Sequence, residues 1–151
     1  MPEKETIERA RKDKREGKSP STQAGEFVRE EIHHVREGKH GVRSAKQAIA
    51  IGLAKARRAG VKLPPPKKGT ASKETRESAK ADSKAGRRAT KKKPSRARSR
   101  ASLRKLKGEG KSGASKQALS RHARSVAKRR TSAQRSASAR KAARTRARGS
   151  R

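Results

Sequence analysis

The sequence has no cysteine, tryptophan or tyrosine, a single phenylalanine at Phe27, and only 13 acids against 47 Lys and Arg. Each shortage excludes something. Without cysteine there are no disulfides and no thiolate metal sites, and a reducing compartment is the default. Without Trp or Tyr, stacking platforms for unpaired bases are missing, which disfavours readers of single strands and RNA loops. No apolar run approaches the roughly 18 residues of a membrane span or the roughly 7–15 of a signal-peptide core. The longest is Ala48–Ala54, so the expectation is a soluble chain with no membrane partner. Glu3, Glu5 and Glu8 argue against a mitochondrial transit peptide, which is poor in acids. With 27% hydrophobic residues, at most one small folded module fits.

What is present is positive charge, unevenly placed. Residues 1–63 hold 16 Lys+Arg and 9 Asp+Glu, whereas 64–151 hold 31 and 4. The formal net charge of +34 and a pI of about 11.9 require anionic partners. The division falls at Pro64-Pro65-Pro66, an extended spacer that no helix crosses. The chain therefore reads as mostly α: a small helical hairpin module in 1–63, a Pro-rich and polar linker over 64–86, and a long disordered or conditionally helical basic tail from 87 to 151.

Within the module the spacing predicts helices over about 3–16, 21–37 and 44–59. The first has an apolar face of only Ile7 and Ala10, so it reads as solvated and marginally attached. The second carries Ala24, Phe27, Val28, Ile32 and Val35 at three- and four-residue steps and ends near Gly38. The third starts on a capping box, Ser44 with Gln47, and places Ala45, Ala48, Ile49, Gly52, Leu53 and Ala56 on one face. Alternation of Ile49, Ile51 and Leu53 with small residues is compatible with a strand, but caps, alanine content and length favour helix. In that helix Ile51 points away from the shared face and becomes a candidate for docking or self-association. Small facing residues and opposite charges predict that 21–60 forms an αα-hairpin.

Residues 70–86 read as a linker with transient helix. From Ser115 to Arg148 there is neither Gly nor Pro, and Leu119, Ala123, Val126 and Ala127 share a helical face. Like charges four residues apart, as in Arg140/Arg144 and Arg144/Arg148, oppose that helix unless phosphates screen them.

The Lys/Arg/Ala/Ser tail resembles in composition the C-terminal tails of linker histones and of bacterial histone-like proteins, and the resemblance implies compaction by charge neutralisation. Residues 19–66, with Ser19-Pro20-Ser21-Thr22-Gln23-Ala24-Gly25-Glu26-Phe27-Val28, His33-His34, Gly38-Lys39-His40-Gly41 and Lys46-Gln47-Ala48-Ile49-Ala50-Ile51-Gly52-Leu53, look like an uncharacterised family of small basic bacterial proteins. That resemblance implies a bacterial source, hence a cytoplasmic, nucleoid-associated location, and transfers no mechanism.

The expected function is nonspecific DNA binding by phosphate neutralisation, with RNA or ribosome binding as the alternative. The residues expected to contact nucleic acid fall into four groups. Arg87, Arg88, Lys91, Lys92 and Lys93 follow the linker. Arg96, Arg98, Arg100, Arg104, Lys105 and Lys107 come next. Lys116, Arg121, Arg124, Lys128, Arg129 and Arg130 form the third group, and Arg135, Arg140, Lys141, Arg144, Arg146 and Arg148 close the tail. Arg43, Lys46, Arg57 and Arg58 read as an outward face of the third helix that is more simply a solvated surface. A flexible run of such cations neutralises phosphates without presenting fixed side chains to base edges.

No metal is expected of His33, His34 and His40: the adjacent pair diverge by about 100° on a helix, no cysteine accompanies them, and Glu30 or Glu37 at helical spacing explains them. Gly108-Glu109-Gly110-Lys111-Ser112-Gly113 has the letters of a phosphate-binding glycine loop but no strand before it, and reads as a flexible joint. No constellation of carboxylates or nucleophiles supports an enzyme or a cofactor.

Overall fold

A computed structural model describes residues 2–88 and 95–149. Among these residues the chain is helical with no strand, apart from an isolated bridge between Lys68 and Ala71. The helices are α1 (Lys4–Arg15), α2 (Pro20–Glu37), α3 (Ala45–Arg58), α4 (Lys73–Arg87), α5 (Arg96–Lys107), α6 (Lys116–Lys128) and α7 (Ser132–Gly149), with a 3-10 turn at Ser112–Ala114. No helix among the described residues is long and apolar enough to cross a membrane.

Caps written into the sequence set the helix ends. Ser19 accepts from the Thr22 N–H with Pro20 in the first turn, Ser44 accepts from the Gln47 N–H, and Ser72 from the Thr75 N–H. Gly38 ends α2 in the left-handed region, φ 83°. At the end of α3, Gly60 turns at φ 95° and the Val61 N–H reaches back to the Ala56 carbonyl, 3.1 Å away.

Two small apolar clusters hold the head, the part of the chain that carries α1 to α4. Ala10, Ala24, Phe27 and Ala56 form one, with Ile7, Leu53, Ala59, Val61 and Leu63 at its edge. Val35, Val42, Ala48 and Ala114 form the other, flanked by Ile32 and Ile51. The α2/α3 hairpin is their common wall, and its backbones meet where no side chain intervenes: a Cβ on Gly52 would lie 2.6 Å from the Val28 Cα. Lys55 crosses the hairpin to Glu31 at 2.7 Å, the expected pairing of an acidic with a basic helix.

Four expectations are corrected. Helix α1 is docked rather than solvated: Thr6, Ala10 and Asp13 are buried, and Arg9 reaches Glu26 on α2 at 2.7 Å. Thr6 supplies the third buried step, a polar side chain that a count of apolar residues passes over. Ile51 is half-buried against the second cluster and is not an exposed docking residue, because α3 is covered on that side by the segment ending at Ala114. Linker residues 73–86, together with Arg87, form α4, which packs on α3 with Ala79 buried and Asp82 held by Arg58 at 2.6 Å.

The fourth concerns the tail, expected to be disordered or conditionally helical: its described residues form three α-helices, with no long disordered run among them. Helix α6 is capped by Ser115. The helix expected over 115–148 breaks at Arg129–Thr131, where the Thr131 hydroxyl accepts from the Gln134 N–H (3.2 Å) and Gln134 Oε1 accepts from the Thr131 N–H (3.1 Å). This reciprocal box starts α7 afresh.

Candidate nucleic-acid interface

The glycine loop is docked, not a free joint. The Gly41 N–H donates to the Leu106 carbonyl and the Val42 N–H to the Gly110 carbonyl, at 2.9 and 2.8 Å. Arg36 Nε donates to the Ala114 carbonyl at 2.9 Å. Glu109 accepts from the Arg43 N–H (3.0 Å) and from Gln47 Nε2 (2.8 Å). Only glycine permits so close an approach: a Cβ on Gly41 would overlap the Glu109 carbonyl, and one on Gly113 would lie 2.7 Å from the Val42 carbonyl oxygen. Lys111 extends its ammonium over Gly38 at the carboxyl end of α2, where exposed carbonyls favour a cation.

This latch fixes the base from which the basic helices leave the head. Arg87, the last residue of α4, and Arg88 are exposed; Lys91, Lys92 and Lys93 lie outside the described residues. On α5, Arg96, Arg100, Arg104 and Lys107 share one side, with Arg98 and Lys105 opposite, and all six are exposed. On α6, Arg121, Arg124 and Lys128 form a stripe, with Lys116 off it at the start and Arg129 just beyond. Helix α7 carries Arg140, Arg144 and Arg148 at four-residue steps with Lys141 bordering that stripe, and Arg135 and Arg146 on the opposite side.

Two cations of the set also serve the junction. Arg130 Nη2 donates to the Gln134 carbonyl at 3.2 Å, and Arg135 Nη1 to the Arg130 carbonyl at 3.2 Å. They tie α6 to α7.

The head contributes two cations to the tail's surface. Arg43 and Lys46, at the start of α3, share a shallow cleft with Ser112, Arg121 and His122, so the stripe on α6 continues onto α3. The other two members of the expected α3 face do not. Arg57 is buried, donates to the Pro64 carbonyl at 3.3 Å and has its pKa pushed down by burial; Arg58 is held by Asp82. Helical spacing separates Arg43 and Lys46 from Arg57 and Arg58 by more than two turns, and only the fold of 106–121 shows which end is basic.

Phe27 is 1% exposed and offers no face to a base. The arrangement can therefore neutralise phosphates from several directions and bridge strands, but has nothing with which to read bases.

The histidines are arranged differently from their sequence spacing. His33 pairs with Glu37 at 2.9 Å, as expected. His34 points to Glu3 on the chain's first turn, 2.8 Å from Nε2, and is 3.9 Å from Glu30. His40 comes from the turn after α2 to face Glu31 at 3.3 Å. The Glu3 carboxyl is pushed down to about 2 by hydrogen bonds from His34 and Lys39. A signal for this cluster was present in Glu31-Ile32-His33-His34, whose first and last side chains share a helix face.

No curated protein and no solved structure matches the chain. Residues 11–68, from the second half of α1 to the proline spacer, match a family of unknown function (DUF6496), so the similarity covers most of the head and none of the basic helices α5 to α7.

Proposed function

We propose that this chain is a nonspecific, histone-like DNA-binding protein that neutralises and compacts the phosphate backbone, with the helical head as a mount for basic helices. The observation that carries this reading is the segregation of charge. In the head, cations meet carboxylates, as in Arg9–Glu26 at 2.7 Å, Lys18–Asp13 at 2.8 Å and Arg58–Asp82 at 2.6 Å. Residues 87–151 hold 25 Lys+Arg and one acid, Glu109, and that carboxylate is turned onto Arg43 and Gln47 of the head. A surface so charged recruits a polyanion, and displaced counterions drive the association. Duplex DNA is favoured over RNA loops because stacking groups are absent from the surface. The repulsion among Arg140, Arg144 and Arg148 is relieved as phosphates approach, so α7 gains helical stability on binding.

The test is the salt dependence of binding to a labelled random duplex. With about 6–10 phosphates neutralised, affinity falls by about 10³–10⁵ between 50 and 200 mM salt. The triple change Arg121→Gln, Arg124→Gln, Lys128→Gln flattens the log–log slope by about 0.9 for each phosphate that is no longer neutralised. An unbound duplex at 50 mM salt, or an unchanged slope in the triple variant, overturns the assignment. An RNA hairpin that competes better than duplex DNA of equal charge transfers it to RNA.

A further inference from the structure

The head contains a buried polar cluster that the nucleic-acid reading does not use. Glu31 is 0% exposed, and neither carboxylate oxygen accepts a hydrogen bond from the protein. Lys55 Nζ lies 2.7 Å from Oε2, an ion pair out of line for a hydrogen bond. Oε1 faces His40 Nε2 at 3.3 Å. The other ring nitrogen of His40, Nδ1, is 3.2 Å from the Gly41 carbonyl, which can only accept, so Nδ1 carries the proton. In the neutral ring Nε2 then presents a lone pair to a carboxylate lone pair, an arrangement that calls for a cation between them.

His34 repeats the pattern. Its Nε2 lies 2.8 Å from Glu3 Oε1, a carboxylate that accepts, which leaves Nδ1 as the ring's free lone pair. One ligand atom from each of Glu31, His34 and His40 can be chosen so that all lie within 4.8 Å of one another.

We propose that Glu31, His34 and His40 form a binding site for one divalent late first-row transition ion, with zinc the foremost candidate. Two imidazoles and a carboxylate suit that class of ion better than magnesium or calcium, which take oxygen ligands. Metal–ligand distances of about 2.0–2.2 Å require the three side chains to close in by about an ångström. The partners of the far ring nitrogens, a backbone carbonyl on His40 and a carboxylate on His34, are those that orient metal-bound histidines. Local charge agrees: Glu3, Glu30 and Glu31 surround the site, against Lys39, which pairs with Glu3 at 3.1 Å, and Lys55, which pairs with Glu30 at 3.4 Å. Lys55 occupies Oε2 and leaves Oε1 for the ion. The site would pin the turn at His40 to α2, beside the Gly41 and Val42 amides that hold the tail.

The experiment uses full-length protein freed of metal by chelation, without nucleic acid. Cobalt(II) is followed by its visible absorption and zinc by calorimetry and competition with cobalt. The site predicts one ion per chain with tetrahedral cobalt bands. His40→Ala and Glu31→Gln each weaken binding by about 100-fold or more, and Glu3→Gln, whose side chain meets His34 alone among the three ligands, weakens it by about 10–100-fold. His33→Ala, on the exposed side with Glu37, leaves affinity unchanged. Circular dichroism shows whether Glu31→Gln still folds; if it does not, the stoichiometry of the wild type and the Glu3→Gln and His40→Ala titrations decide. Absence of a one-to-one complex, or affinity unchanged in both His40→Ala and Glu3→Gln, overturns the proposal and leaves Glu31–His40 as an ion pair held by a proton.

Discussion

In the head, Ala24, Ala48, Ala56 and Phe27 are buried to within 1% of complete, whereas in the tail Leu103 and Val126 stand 44% exposed. Charge follows the same division. Lys55 meets Glu31 and Arg58 meets Asp82, while the cations of α5, α6 and α7 project outward around helices with little apolar surface to bury. Both regions are helical, but tertiary packing holds the head's helices, and propensity with local caps holds those of the tail. A helix of the second kind can change its length and exposure cheaply when a polyanion approaches; one of the first kind cannot without opening the core. The head is thus the part that fixes geometry, and the tail the part that responds.

The sharpest way to break the comparison is to remove the head's largest buried side chain. Phe27→Ala loses about 3–5 kcal/mol, which is most of the stability of a module this small. The cooperative urea transition of the head should disappear. The proposed DNA binding should persist with an unchanged salt slope, because the charges that would set it lie elsewhere. If binding disappears together with the transition, the head positions the basic helices rather than merely carrying them.

A smaller change addresses the border. A methyl on Gly41 would overlap the Glu109 carbonyl, so Gly41→Ala forces 106–110 off the turn at a cost of about 1–3 kcal/mol. Exchange of the Gly41 and Val42 amide hydrogens, now bonded to Leu106 and Gly110, should accelerate by about 5- to 140-fold, since about 1.4 kcal/mol is a factor of ten. The Phe27 cluster lies away from this border and should melt nearly as before. Equal loss in both readouts would mean that head and tail form one cooperative unit.

How far the sequence was legible divides along the same line. Local signals were sufficient for the helix ends of the hairpin: Ser44, Gly38 and Gly60 mark them because caps and left-handed turns are properties of single residues and near neighbours. The αα-hairpin follows from Gly52 and the alanines beside it. What was hidden were pairings between residues far apart in the chain. Glu3 to His34 spans 31 residues and Arg36 to Ala114 spans 78, and no periodicity announces either. The docking of 106–114 was hidden for a further reason: Gly110 and Gly113 signal flexibility when read alone, and close approach only once Val42 is beside them. The break before α7 was legible in Thr131 and Gln134, but an unbroken run of helix formers masked it.

The finest probe of the head uses pH. The Glu3 carboxyl titrates at about 2 rather than at its usual 4.5, first because His34 donates to it and then because Lys39 does. A folded-state value below the unfolded one means that the ionised carboxylate stabilises the fold. That contribution is fully present above about pH 4.5, declines as pH falls, and is gone once the folded carboxyl has been protonated near pH 2. Glu3→Gln removes the ionisation, so its melting temperature should lie slightly below wild type at pH 7, and the two should converge as pH falls from 4.5 to 2. The difference should be small because the side chain is half exposed and water screens the pair. A gap that persists undiminished at pH 2 would show that Glu3 acts through packing of the first turn on α2 and not through its charge.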